Sequence, residues 1–103
     1  MKKELEVCPI ELTLSLIGDK WKILIIRDLL DGTKRFGELK KSLNISPKVL
    51  TENLRQMEIS GLVNRKIYAQ VPPKVEYSLT DLGFSLSPVL GSMRKWGLEY
   101  MKK

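Results

Sequence analysis

Apolar positions along the chain recur first with a helical period, then with a period of two, then helically again. Ile10, Leu14 and Ile17 fall at spacings of four and three, so they share one helical face. Pro9 suits the first position of that helix and Gly18 its end. Asp19 can cap a second helix. Its residues Trp21, Ile23, Leu24, Ile25, Ile26 and Leu29 are crowded enough to predict burial on most sides, and Asp31-Gly32 stops it. An extended piece over 33–35 precedes a third helix over 36–42, with Phe36, Leu39 and Leu43 facing inward. Asn44-Ile45 reads as a tight turn. Ser46-Pro47 then gives a strong start, a capping hydroxyl followed by proline in the first turn. This fourth helix is predicted over 46–60, ended by Gly61 in a left-handed conformation with Leu62 packing behind it.

From here the period is two. Val63, Arg65, Ile67, Ala69 and Val71 alternate with Asn64, Lys66, Tyr68 and Gln70. After Pro72-Pro73, Val75, Tyr77 and Leu79 alternate with Lys74, Glu76 and Ser78, which predicts a two-stranded hairpin with prolines at its tip. Thr80 caps a final helix whose stripe is Leu82, Leu86, Val89, Leu90, Met93, Trp96 and Met101; Pro88 inside it would kink it or split it in two. The fold class expected is mainly α with a small β-hairpin, a winged helix-turn-helix with a C-terminal helix available for dimerisation. No internal repeat or long linker divides the chain, so residues 1–103 are read as one domain.

In a helix-turn-helix the second helix packs one face on the core and presents the other to base edges. At about 100° per residue, Leu50, Leu54 and Met57 of the fourth helix cluster on one side. Lys48, Glu52 and Arg55 lie opposite, flanked by Thr51 and Gln56. Ile59 also falls on the polar side, without an explanation beyond its place in the last turn. Arginine can grip guanine in bidentate fashion, threonine can touch a thymine methyl, and lysine can reach guanine or a phosphate. Glu52 could accept from cytosine or pair with Lys48 or Arg55 along the helix. A solvated face laced with ion pairs would look the same on one helix alone; the short helix before it and the basic hairpin after it favour nucleic acid. In the hairpin Arg65, Lys66 and Lys74 are candidates for contacts to the backbone or the adjacent minor groove, and Arg35 before the third helix for a phosphate contact.

Charge sharpens this reading. The chain of 103 residues carries a net +6. Residues 34–74 hold nine positive and three negative side chains, the whole excess, while the rest balance at nine each. A basic zone suits a polyanion, because lysine and arginine displace phosphate counterions. It also argues against a protein–protein module, since such interfaces are depleted in lysine. With one cysteine and no histidine, an intrachain disulfide, the usual zinc sites and the usual Ser-His or Cys-His nucleophile pairs are excluded, and neither an enzyme, a metal nor a cofactor is expected. No membrane-length apolar run occurs, and Met1-Lys2-Lys3-Glu4 lacks the apolar stretch of a signal peptide; a cytoplasmic location is expected.

Several strings are more specific than any generic helix-turn-helix pattern. Cys8-Pro9-Ile10-Glu11, Leu16-Ile17-Gly18-Asp19-Lys20-Trp21-Lys22, Arg35-Phe36-Gly37-Glu38-Leu39, Ile45-Ser46-Pro47-Lys48-Val49-Leu50-Thr51 and Val71-Pro72-Pro73-Lys74-Val75-Glu76-Tyr77-Ser78-Leu79-Thr80 resemble the HxlR-type winged-helix regulators, related to the MarR group. The resemblance runs from Cys8 to about Gly97. It implies a homodimeric transcription regulator on double-stranded DNA, with dimer contacts from the segments 10–17 and 82–100. Two-fold symmetry would place two recognition helices about one DNA turn apart on a palindrome-like operator. Some members of the family sense oxidants or electrophiles through a cysteine near the N-terminus, which makes Cys8 a redox-sensing candidate. A helix N-terminus favours the thiolate. The same residue could equally be a small buried hydrophobe or an inert cap. With no second cysteine, a sensor here would use an intermolecular or mixed disulfide, or direct alkylation.

Overall fold

The structure is a computed structural model that describes residues 7–103; the Met1–Glu4 segment read above lies outside them. Helix α1 (Pro9–Ile17) starts on Pro9 and buries only Ile17. Gly18 closes it, its N–H donating to the Leu14 carbonyl at 2.7 Å. Helix α2 (Lys20–Leu29) is capped by Asp19, whose Oδ1 accepts the Trp21 N–H at 2.6 Å. Ile25, Ile26 and Leu29 of α2 are fully enclosed, and Trp21, Ile23 and Leu24 pack against the same core, as the crowded pattern predicts.

Strand β1 (Lys34–Arg35) leads directly into α3 (Phe36–Leu43). Asn44 then adopts a left-handed conformation at φ 52°, which asparagine tolerates better than most residues, and this makes the tight turn. Helix α4 (Pro47–Ile59) follows, and Ser46 Oγ accepts the Val49 N–H at 3.2 Å. At its far end Gly61 takes φ +84°. The Leu62 N–H reaches back to the Met57 carbonyl at 2.9 Å and the Gly61 N–H to Glu58 at 3.1 Å. This is the paired C-terminal closure that a left-handed glycine allows, and Leu62 is buried behind it as expected.

Strands β2 (Val63–Tyr68) and β3 (Lys74–Leu79) form the hairpin, with β3 in the centre of an antiparallel sheet ordered β1-β3-β2. Two expectations are corrected. The alternation carried the first strand to Val71, but pairing stops at Tyr68, opposite Lys74. Pro72 and Pro73 have no N–H to give a ladder, so Ala69, Gln70 and Val71 belong to the loop. The wing is also not a lone hairpin, since the extended piece supplies a third, edge strand on β3.

The final helix is two. Helix α5 (Asp81–Phe84) is a single turn, and α6 (Ser87–Met101) restarts with Pro88 in its first turn, where a missing N–H costs nothing. Thr80 Oγ1 accepts the Gly83 N–H at 3.0 Å and donates to the Gly61 carbonyl at 2.6 Å, so one hydroxyl pins α5 against the end of α4. Gly83 is buried there, and a Cβ at this position would overlap the Leu62 carbonyl, so glycine is required. Every element from α2 to β3 except the two-residue β1 places a residue in the buried core, whereas α6 buries none.

Candidate nucleic-acid interface

Helix α4 divides as the wheel predicts. Leu50, Leu54 and Met57 are at most 2% exposed. Lys48, Thr51, Glu52, Arg55 and Gln56 are all exposed, together with Ser46 at the cap. Among the described residues Glu52 makes no ion pair with Lys48 or Arg55, so the helix face is a row of unengaged polar groups. Ile59 stands 80% exposed beside them.

One residue on the inner side was missed. Asn53 lies three residues after Leu50 and four before Met57, in a core position, and is 5% exposed. Its Oδ1 accepts from Lys22 Nζ at 2.9 Å and its Nδ2 donates to the Val49 carbonyl at 2.9 Å. A buried amide is thereby satisfied, and the first turn of α2 is tied to the middle of α4. The signal available was a polar residue at an inward position of an amphipathic helix; nothing in the pattern pointed to Lys22.

The wing cations do not act as one group. Arg65 stands directly opposite Tyr77, and Lys66 opposite Glu76. Directly opposed side chains share a face, and neighbours in sequence take opposite faces. Arg65 therefore lies on the row of Val63 and Leu79 that turns toward α4, where its Nε donates to Glu58 Oε1 at 3.1 Å. Lys66 and Lys74 lie on the other face and flank the Tyr68 ring, with ammonium groups 4.9 and 4.3 Å from its centre. The Tyr68 hydroxyl donates to Glu76 Oε1 at 3.0 Å, and Lys74 Nζ is 3.7 Å from Glu76 Oε2. Arg35, opposite Glu76 from the β1 side, joins this second group. It is exposed, and its backbone N–H donates to Glu38 Oε1 at 2.7 Å, closing the start of α3.

Tyr77, also missed, sits half-buried on the central strand beside Arg65 and Glu58. Burial pushes its phenol above the usual value; Arg65 pulls it down and Glu58 pushes it up, with burial the larger effect. The group is a neutral hydrogen-bond donor at ordinary pH.

Cys8 is exposed at the N-cap of α1, and its side chain makes no capping hydrogen bond. Within the single chain it is therefore not a buried hydrophobe. Among the described residues no cluster of ligand-bearing side chains could hold a metal ion, and no helix is long and apolar enough to cross a membrane.

An amphipathic helix with an unengaged polar face, a short helix and left-handed turn before it, and a basic wing after it are the parts of a winged helix-turn-helix. The family model described as HxlR-like helix-turn-helix matches residues 16–103. The chain belongs to the HxlR-like family. Among its relatives, YdeP of Bacillus subtilis, an HTH-type transcriptional regulator, is 48% identical over 98 residues, covering 94% of this chain and 77% of YdeP. The crystal structure of the HTH-type regulator YtcD superposes with a TM-score of 0.90 at 44% identity, covering 94% of this chain and 100% of that one. The redox regulator HypR in its reduced form does so with a TM-score of 0.85 at 45% identity, covering 89% of this chain and 92% of that one. This HxlR-like chain is a DNA-binding transcriptional regulator of the helix-turn-helix type and not an enzyme.

Proposed function

We propose that this regulator acts as a homodimer on a palindrome-like operator, reading bases with the outer face of α4 and switched by chemistry at Cys8. Lys48, Thr51, Glu52, Arg55 and Gln56 are the base-reading set, with Ser46 at the entry of the helix. Arg35, Arg65, Lys66 and Lys74 hold the backbone. Residues 1–103 form a single domain whose terminal helices carry the dimer contacts, and the protein works in the cytoplasm without a cofactor.

The observation that carries the dimer is α6, which buries none of its 15 residues. Met93, Trp96, Tyr100 and Met101 are each at least 51% exposed, and Ile10, Leu12 and Leu14 of α1 at least 53%. An apolar surface spread over two terminal helices is more than a monomer of this size leaves in water. The occupant that fits is a second copy. Helices α1 and α6 carry Glu11, Arg94, Lys95 and Glu99, two charges of each sign, so two such faces meet without net repulsion, and the positive zone of residues 34–74 remains free for DNA.

The switch rests on the exposed, uncapped Cys8 and on the likeness to HypR, which is described as a redox regulator in oxidised and reduced forms. Cys8 lies one residue before α1, so a disulfide to another molecule or an alkyl group there would sit at the edge of the dimer face.

Selection of bound duplexes from a random pool, with and without an oxidant or electrophile, tests all three parts. The expected outcome is an inverted repeat with half-sites about 10 bp apart, bound by the wild type, and an oxidant response lost in Cys8→Ser. No enrichment even at low salt would reject base reading; an enriched site without symmetry would reject the two-fold dimer; an unchanged response in Cys8→Ser would reject the switch.

A further inference from the structure

Between α4 and the wing lies an open cleft of about 320 Å³ lined by Thr51, Leu54, Arg55, Glu58, Arg65 and Tyr77. We propose that this cleft seats one phosphodiester of the bound DNA, and that Glu58 is an internal stand-in which that phosphate displaces from Arg65. The inference rests on the DNA-binding reading and adds to it a single anion site with a built-in competitor.

The chemistry of the lining is that of an anion seat. The Arg65 guanidinium, a threonine hydroxyl and a tyrosine hydroxyl are donors, Arg55 adds its charge from the rim, and Glu58 is the one carboxylate among them. Two positive charges against one negative leave a single positive charge, matched to one phosphodiester. Arg65 presents its Nε to Glu58 Oε1 at 3.1 Å, the contact a phosphate oxygen would make, while its terminal nitrogens have no partner among the described residues. Arg55 is unpaired among the described residues, and its guanidinium stays free for a base. The Tyr77 phenol keeps its proton, so it offers a donor and no second negative charge.

Geometry gives the phosphate a reason to be there. A winged helix-turn-helix places α4 in the major groove and its wing against the backbone or the neighbouring minor groove. The strand dividing those grooves must cross the space between the two elements, and this cleft is that space. The Arg65–Glu58 pair is about two-fifths exposed on each side, so it is a weak bond that a phosphate can replace.

The test uses full-length protein and the duplex selected above, with single phosphates replaced one at a time by neutral methylphosphonates. One position per half-site is expected to weaken wild-type binding by about tenfold, the size of one charge-assisted contact. Arg65→Gln and Tyr77→Phe should weaken binding to the unmodified duplex and lose little more at that position, since the contact is already gone. Glu58→Gln should tighten binding severalfold, because the competitor is removed. Thermal melts confirm that each variant is folded, and Tyr77→Phe keeps the ring that packs on the sheet. Losses that simply multiply at every phosphate, or a Glu58→Gln variant that binds more weakly, would overturn the proposal and leave the pair a brace between α4 and β2. Failure of the wild type to bind any duplex at low salt would overturn the DNA reading with it.

Discussion

Lys22 and Asn53 offer a direct test of how the recognition helix is held. Asn53 is 5% exposed and its Oδ1 takes the Lys22 ammonium at 2.9 Å. Lys22→Met keeps the length of the stem but leaves that carbonyl buried without its donor. An unsatisfied buried polar group costs about 1–3 kcal/mol, which in a domain of this size is about 4–8 °C in Tm per kcal/mol. Asn53→Leu removes the acceptor and also the bond to the Val49 carbonyl, but the half-buried Lys22 can turn its ammonium to water, so the loss should be smaller, about 1 kcal/mol. The double variant replaces both polar partners with apolar groups of similar size and should recover much of the Lys22→Met loss. Urea denaturation at one fixed protomer concentration measures the cycle, since the proposed dimerisation would make apparent stability concentration-dependent. A coupling of about 1 kcal/mol or more is expected. Additivity within about 0.5 kcal/mol would refute the bridge, as would a Lys22→Met protein as stable as wild type.

Other consequences follow from the same geometry. Arg55→Ala should cost about 1–3 kcal/mol at the operator and relax one base position, read by repeating the selection. Lys74→Ala should instead weaken all duplexes alike and lower the slope of log K against log salt by about 0.9. Trp96→Glu on the exposed face of α6 should give a folded monomer by sedimentation; a dimer of unchanged affinity would move the interface elsewhere. Gly83→Ala would force the new methyl into the Leu62 carbonyl and should destabilise by about 1–3 kcal/mol, while Gly37→Ala, with open space around it, should not.

The elements that were legible in the sequence are those with local causes. Asp19, Ser46 and Thr80 mark helix starts because each side chain caps a backbone N–H two or three residues ahead. Gly61 marks an end because the closure behind it requires a left-handed residue. The outer face of α4 was legible for the same reason, since its angular spread depends on the helix alone. The third strand was less so. The extended piece at Lys34 and Arg35 was visible, but its pairing with Tyr77 and Glu76 spans some forty residues and leaves no local trace.

The wing shows where such reasoning stops. That Arg65 and Lys66 take opposite faces follows from a period of two and needed no coordinates. That Tyr77 stands across from Arg65 depends on register, and register is set by where pairing ends. Pairing ends at Tyr68 because the two prolines cannot continue a ladder; had it run to Val71, every cross-strand partner would differ. The Glu58–Arg65 contact needs one step more, the packing of a helix end on a strand. Asn53 is the parallel case in the core, its inward position readable and its partner 31 residues away not. The stripe on α6 differs again. It was read as apolar and stands exposed; in the proposed dimer the surface that covers it belongs to another molecule, so no single chain, in sequence or in three dimensions, would contain it. The proposed DNA interface is therefore built from local signals joined by non-local pairings, and its proposed control lies on a surface that a second copy would complete.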